Sequence, residues 1–326
     1  MFNKLLSIVI PVYNCKETLP TCLNSILSQN FGGFEIILID NGSTDASKAL
    51  CDGYEAKDPR VTAIHMKHGE VADALNAGIK AASGRYLLFM DATDYIEDIN
   101  FERFADQLWQ DFDVIFIKTS ELMPDGTKEP ILGFDALAGQ SHDEVLQKLV
   151  DVLPDRLWDK LIRKRILSES NIKFDNVWEN VDFCMSLYLH ATSYGVLADL
   201  PYYCHTHQAH TRNIKEWCQK IILTLSKWTS AADLHHEKHD TIIHHWMAAM
   251  YCEELIPLCG KLSRAEMQMI KHSIDDFAWL MDIREKRSDK IAKNLYHAVG
   301  VRFTGKLIAI FNKIKTRKKN YGILFL

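Results

Sequence analysis

The sequence of 326 residues has no run approaching the ~18–20 consecutive apolar residues of a bilayer-spanning helix. Its longest apolar stretches are strand-sized, such as Tyr86-Leu87-Leu88-Phe89-Met90. None of its eight cysteines forms a Cys-x-x-Cys pair, so reduced thiols are expected rather than a disulfide framework. There is no His-Glu-x-x-His, which excludes that zinc-hydrolase pattern and leaves His235, His236, His239, His244 and His245 as residues of solvated or packed helix faces. Low-complexity linkers and internal repeats are also missing. The short run Leu5-Leu6-Ser7-Ile8-Val9-Ile10 is stopped by Pro11 with no small-residue cleavage site after it, so it reads as a buried first strand and not a secretory signal. Residues 290–326 lack Asp and Glu altogether.

The content is otherwise that of a globular protein. Hydrophobic residues make up 47% and charged residues 25%, enough apolar surface to exclude disorder as the main state. The length is enough for two domains. The net charge of −5 averages two unlike parts. Nine basic groups lie in residues 290–326, and the rest of the chain carries 29 basic against 43 acidic groups, a net of −14. An acidic body is a poor match for nucleic acid, whereas a basic tail points to something negative.

Up to about residue 118 strand and helix patterns alternate. Ser7–Val12, Glu35–Ile39, Val61–Met66, Tyr86–Met90 and Val114–Lys118 read as strands. Residues 17–29, about 44–54 and 71–82 read as helices. This alternation predicts an α/β architecture with a mostly parallel, Rossmann-like sheet flanked by helices. Ligands of such sheets sit beyond the carboxyl ends of the strands. Three strands end in polar groups suited to that role: Tyr13-Asn14, Asp40-Asn41 and Asp91. From about Ile214 the pattern turns helical. The expected division is 1–213 for the α/β domain and 214–326 for a helical C-terminal module.

Four ordered segments carry a family likeness. They are Ser7–Asn14, Glu35–Asp45, Ala72–Ile79 and Gly84–Ile96, the last of which holds Asp91-Ala92-Thr93-Asp94. Together they resemble the family 2 glycosyltransferases, over roughly residues 5–213. The resemblance implies the GT-A fold and an inverting transfer of sugar from a nucleotide-sugar, a UDP-sugar being favoured, to a hydroxyl of a surface polysaccharide or lipopolysaccharide. It assigns Pro11, Val12, Tyr13, Asn14, Asp40, Asn41, Asp91 and Ala92 to the nucleotide, with Asp40 accepting from the N–H of a uracil-type base. Glu17 either reaches the ribose or stands solvated in the first helical turn. The family's divalent cation, Mg²⁺ or Mn²⁺, is held through Asp-x-Asp. Here Thr93 replaces the second Asp, so with Asp91 either Asp94 supplies the carboxylate or Thr93 contacts the metal weakly, giving Asp91, Thr93 and Asp94 as the candidate ligands, or the protein manages without metal.

Trp158-Asp159-Lys160-Leu161 resembles the family's Trp-Asn-Lys-Leu segment after the sheet, and Trp178–Phe183 resembles the segment that supplies the catalytic base. The base position falls on Asn180, an amide that cannot take a proton. Either Glu179 or Asp182 substitutes, or the motif is shifted, or transfer is lost and the chain is a nucleotide- or glycan-binding module on the same fold.

In the tail, Phe303, Leu307, Ile308, Ile310, Phe311 and Ile314 fall on one side of a helix over 301–318. Arg302, Lys306, Lys313 and Arg317 fall on another. Such a helix is expected to lie on an anionic membrane through residues 301–319. The expected location is therefore cytoplasmic, peripheral to the inner face of the membrane, where glycan or lipid-linked glycan acceptors are found.

Overall fold

The computed structural model describes residues 4–30, 32–97, 101–122, 127–131, 137, 139–149, 156–175, 179–205, 213–232, 240–283 and 287–320; the side chains of 101–103, 107, 118, 121–122, 129–131, 179, 198–205, 231–232, 287–289 and 311–320 lie outside that description. The chain divides into two compact units, residues 1–146 with 154–208, and residues 147–153 with 209–326.

In the first unit the elements run β1 (Leu6–Val12), α1 (Leu19–Leu27), β2 (Phe34–Asp40), α2 (Ser47–Lys57), β3 (Val61–His65), α3 (Val71–Ala81), β4 (Tyr86–Phe89) and β5 (Tyr95–Ile96). They continue with α4 (Phe101–Trp109), β6 (Val114–Leu122), β7 (Lys128–Ile131), α5 (His142–Leu149), β8 (Lys160–Arg163), α6 (Lys164–Glu169), α7 (Glu179–His190) and β9 (Tyr194–His205). The nine strands form one sheet, ordered β3-β2-β1-β4-β8-β6-β9-β5, with β7 on β6. β3, β2, β1 and β4 are parallel neighbours. β8 joins β4 and β6 antiparallel, and β9 runs parallel to β6.

Strand alternation divides β1 between two helical layers. Leu6, Ile8, Ile10 and Val12 pack in one buried cluster with Leu19, Cys22, Leu23 and Ile26 of α1. Val9 points the other way, onto α3, where a Cβ at Gly78 would come within 2.2 Å of Val9 Cγ1. With both faces covered, β1, β2 and β4 need apolar residues at nearly every position, which is why they read as continuous runs, while the edge strand β3 is partly exposed. Glu35 is the exception inside β2. It is buried but accepts from Lys4 Nζ (2.7 Å), Ser7 Oγ (2.6 Å) and the Ser83 backbone N–H (2.6 Å). Burial pushes its carboxyl up, yet those bonds outweigh it and bring the pKa down to about 2.

The Trp158–Leu161 segment corrects an expectation. It does not follow the sheet; Lys160–Arg163 is an internal strand of it. The strand has only two apolar residues between charged ends, too short a signal for periodicity to register. Lys160 is accommodated there, fully buried, by an ion pair with Asp159 and by the face of the Tyr188 ring 5.6 Å away.

The second unit is helical: α8 (Ile214–Ala232), α9 (Asp240–Ala249), a π-helical stretch Met250–Leu255, α10 (Ile256–Cys259), α11 (Arg264–Asp275), α12 (Arg287–Val299) and α13 (Val301–Asn320). Its core holds Trp246, Tyr251 and Leu255; Trp246 Nε1 donates to Leu149 O at 3.0 Å. A Ser263–Glu266 capping box starts α11. α13 covers the predicted helix, and the face it packs on α10 is a different one from the apolar stripe expected to meet a membrane. Val301, Thr304 and Gly305 are buried, while Phe303 and Ile310 are 52% and 56% exposed. The reason is glycine: a Cβ at Gly305 would lie 2.1 Å from Ile256 O, so the two backbones meet where no side chain intervenes. No helix among the described residues is long and apolar enough to cross a membrane. The predicted histidines 235, 236 and 239 lie outside the described residues; His245 bonds Thr241 O at 2.7 Å and His244 meets the Trp279 ring edge-on.

Candidate functional site

The polar groups singled out in the sequence gather at the carboxyl ends of β1, β2 and β4. The loop after β1 is laced to the loop after β2. Asn14, with a φ of 51°, turns its side-chain oxygen to the Thr44 N–H (2.8 Å) and the Asp45 N–H (3.3 Å). Its own N–H donates to Ser43 Oγ (3.1 Å), and that of Cys15 to Ser47 Oγ (2.9 Å). Asn tolerates this left-handed conformation because its short amide bonds locally. The amide oxygen of Asn14 is therefore engaged within the protein. Val12 is fully buried, so only its backbone faces the loop, and its carbonyl accepts from Asn41 N at 2.9 Å. Tyr13 is 48% exposed, and Glu17 is exposed beside Lys16 at 3.8 Å.

Asp40 closes β2 and is 2% exposed. One carboxylate oxygen accepts from Ser43 N (3.0 Å); the other lies 3.0 Å from His65 Nδ1. His65 Nε2 lies 2.7 Å from Asp52 Oδ1. Burial works to raise the pKa of Asp40, but the bonds from Ser43 and His65 bring it below its ordinary value. Burial works to lower that of His65, but Asp52 and Asp40 raise it. The result is an ionised carboxylate fixed on two sides.

Asn41 ties the same corner to the loop before α3. Its Nδ2 donates to Gly69 O (2.9 Å), and Gly69 N donates to its Oδ1 (3.1 Å). His68 bonds Asn41 O at 3.0 Å and stacks on Tyr13, with ring centroids 4.4 Å apart. Gly42 has φ 73°, and a Cβ there would come within 2.5 Å of His68 N. His65, His68 and Asp52 were not singled out in the sequence. Their partners lie 13–27 residues away, which periodicity does not reveal.

After β4, Asp91 Oδ1 accepts from both Thr93 N (2.9 Å) and Thr93 Oγ1 (2.8 Å). This is an Asx-type turn. Asp91 Oδ2 makes no bond among the described residues. Ala92 is buried, and Asp94 is fully buried with its own interactions. Of the expected set of Asp91, Thr93 and Asp94, Asp94 is buried and Thr93 bonds Asp91 Oδ1, which leaves Oδ2 of the half-buried Asp91 as the carboxylate oxygen without a bond among the described residues. Among the described residues no group of three His, Cys, Asp or Glu side chains is placed to hold a metal. A single carboxylate still fits a hard cation that takes its other oxygens from a bound diphosphate and water.

α7 begins at Glu179. Asn180 is half-buried in its first turn and Asp182 is 3% exposed. The start of α7 is held near the end of β4 by aromatic packing. Phe183 stacks on Phe174 at 3.9 Å, and both meet Phe89, the last residue of β4, edge-on. Asn76 of α3 clamps Phe174 by both backbone groups, at 2.9 and 3.0 Å. Asn76 stood in a quoted motif without an assigned role; this clamp supplies one.

Residues 7–128 match the sequence model described as Glycosyl transferase family 2. The chain is 29% identical over 176 residues to the uncharacterized glycosyltransferase EpsJ of Bacillus subtilis (strain 168), covering 52% of this chain and 51% of that one. It is 31% identical over 214 residues to the poly(ribitol-phosphate) beta-glucosyltransferase of Bacillus spizizenii, covering 61% of this chain and 32% of that one. The chain spans about half, or less, of the length of these curated relatives. Among solved structures, S. aureus TarS 1-349 superposes with a TM-score of 0.70 at 19% identity, over 99% of this chain and 93% of that one. The same protein has been solved with UDP-GlcNAc, matching with a TM-score of 0.64 at 18% identity over the same shares. At that identity the likeness is one of fold, and the fold is GT-A.

Proposed function

We propose, from the match of residues 7–128 to the model of Glycosyl transferase family 2, that this chain is a glycosyltransferase of that type and transfers a sugar, with inversion, from a nucleoside-diphosphate sugar to a hydroxyl of a surface polysaccharide. The observation that carries the reading is the convergence of Asp40 and Asp91, from two parallel strands, at one edge of the sheet. A UDP-sugar is the favoured donor. An ionised Asp40 offers only acceptor oxygens, so it suits a base with a ring N–H such as uracil and disfavours cytosine, which presents a lone pair there. The exposed face of Tyr13 and the backbone of Pro11 and Val12 flank the base. Asn41 and Asn14 hold the loops that shape its pocket.

Asp91 stands by the ribose and diphosphate. Asp91 is the residue that would hold Mg²⁺ or Mn²⁺, and the cation would neutralise the leaving diphosphate. In the transfer an acceptor oxygen attacks the anomeric carbon, the bond to the diphosphate oxygen breaks, and its electron pair leaves with the diphosphate. The acceptor proton goes to a carboxylate. Asn180 has no basic atom, so Glu179 or Asp182 of the same segment at the head of α7 is read as that base.

The acceptor is read as a glycan or lipid-linked glycan, in line with the poly(ribitol-phosphate) named for one relative. Peripheral contact with an anionic membrane through residues 301–319 is supported by the exposed Phe303 and Ile310 beside Arg302 and Lys306. One observation favours a second reading, a binding module without transfer: the amide of Asn180 where a base is needed.

Calorimetry with UDP, with and without Mn²⁺, and donor turnover over an acceptor panel test the proposal. UDP should bind, and Asp40→Asn should weaken it about tenfold, as expected for a lost charged hydrogen bond. Asp91→Ala should abolish transfer. UDP binding without donor turnover would favour the module, and no UDP binding at millimolar ligand would sink both readings.

A further inference from the structure

The opposite end of the sheet carries a feature that the donor site does not use. Gly84, Arg85, Arg163, Lys164, Arg165 and Ser168 line a pocket of about 280 Å³. It lies just before the start of β4, while Asp91 follows its end. Six residues at ~3.3 Å per residue separate the two by about 20 Å.

Four of the six lining residues are cations in a body whose net charge is strongly negative. Among the described residues two carboxylates answer them. Asp111, held in a left-handed turn with φ 68°, pairs with both Arg85 and Arg163. Glu169 pairs with Arg165 at 3.3 Å. Lys164 Nζ donates to the Ala82 carbonyl, which satisfies a hydrogen bond but neutralises no charge. Arg163 Nη1 donates to Asp111 O at 2.9 Å, and that fixes its guanidinium. The pocket therefore keeps a surplus of positive charge on preoriented side chains, a combination that suits a phosphate or carboxylate. Beside it, Trp109 is 60% exposed, with the Arg85 guanidinium 5.3 Å from its ring centroid. A tryptophan face at the rim of a guanidinium cluster offers a platform for the apolar face of a sugar ring next to a site for its anion.

We propose that this pocket is a second ligand site, for an anionic glycan: the arginines and Lys164 take a phosphate or carboxylate, and Trp109 takes the attached sugar ring. The choice of a glycan over another anion rests on the proposed function; the charge of the pocket does not.

The test is calorimetry on the full chain with inorganic phosphate, a sugar monophosphate, a phosphodiester-bridged disaccharide and the neutral disaccharide, with UDP titrated in parallel. The sugar phosphates should bind more tightly than inorganic phosphate by about tenfold, and Trp109→Ala should remove that preference. Arg85→Gln with Lys164→Gln should weaken both kinds of phosphate by about tenfold or more. Arg165→Gln, on an exposed side chain that leaves the Asp111 pairs intact, should weaken them severalfold and guards against a folding defect in the double variant. UDP binding should stay unchanged throughout. Wild-type affinity in the double variant, equal binding of the neutral disaccharide, or no sugar-phosphate binding would overturn the site. So would anionic phospholipid vesicles that bind in a manner lost with Arg85→Gln and Lys164→Gln. Variant-sensitive sugar-phosphate binding without UDP binding would keep this site and refute the transferase reading. The reverse result would do the opposite.

Discussion

His65 holds two carboxylates, Asp40 and Asp52, by one ring, so its proton is part of the site's stability. Its pKa is raised above the ordinary 6.5. Its contribution is therefore fully present below that value and fades as pH rises through the raised one. Asp40 is shifted down from 3.8, so its contribution is present above that value and fades only in acid. Replacing His65 by Gln should lower the melting temperature by roughly 2–4 °C near pH 5–6. The gap to wild type should close as pH rises through the raised His65 value. A constant gap from pH 5 to 9 would show that the ring acts by shape alone. Gly42→Ala tests the neighbouring corner. A Cβ there at φ 73° meets the His68 backbone, and chemical denaturation should show a loss of about 1–3 kcal/mol. The sequence disclosed Asp40 and Asp91 because each ends an apolar run. It hid His65 and His68, whose roles come from contacts across loops, and it could not show that Asp94 and Asp182 are buried.

At the scale of elements, β1, β2 and β4 were legible because burial on both faces fills them mostly with apolar residues. β8 was not, since four residues with charged ends carry no period. The packing of α13 on α10 through Gly305 was not legible in the sequence, because a close glycine contact leaves no apolar signal. Gly305→Val makes this measurable. A side chain forced against Ile256 O should cost about 1–3 kcal/mol and make residues 301–320 more sensitive to protease. An unchanged protease pattern would mean that α13 does not depend on the contact.

For the molecule as a whole, the net charge of −5 conceals a −14 body and a +9 tail. The body has its own basic spot at the start of β4. Phe303→Ser with Ile310→Ser removes two exposed apolar groups of α13 without touching Val301, Thr304 or Gly305. If this helix lies on membrane, the double variant should sediment far less with anionic vesicles than the wild type, and added salt should weaken both. Equal sedimentation would remove the tail from that role. The place of β8 in the sheet also bears on how the protein is made. β4 pairs with β1 on one side and with β8 on the other. When β4 leaves the ribosome, the strand that will cover its open edge is some seventy residues from being synthesised. At ~5–20 residues per second that is an interval of roughly 4–15 s in which a nascent sheet displays unpaired backbone. Such an edge invites pairing with other chains. Yield in the cell should then depend on chaperones that shield nascent chains, and on translation speed between residues 90 and 163, more than on the stability of the finished fold.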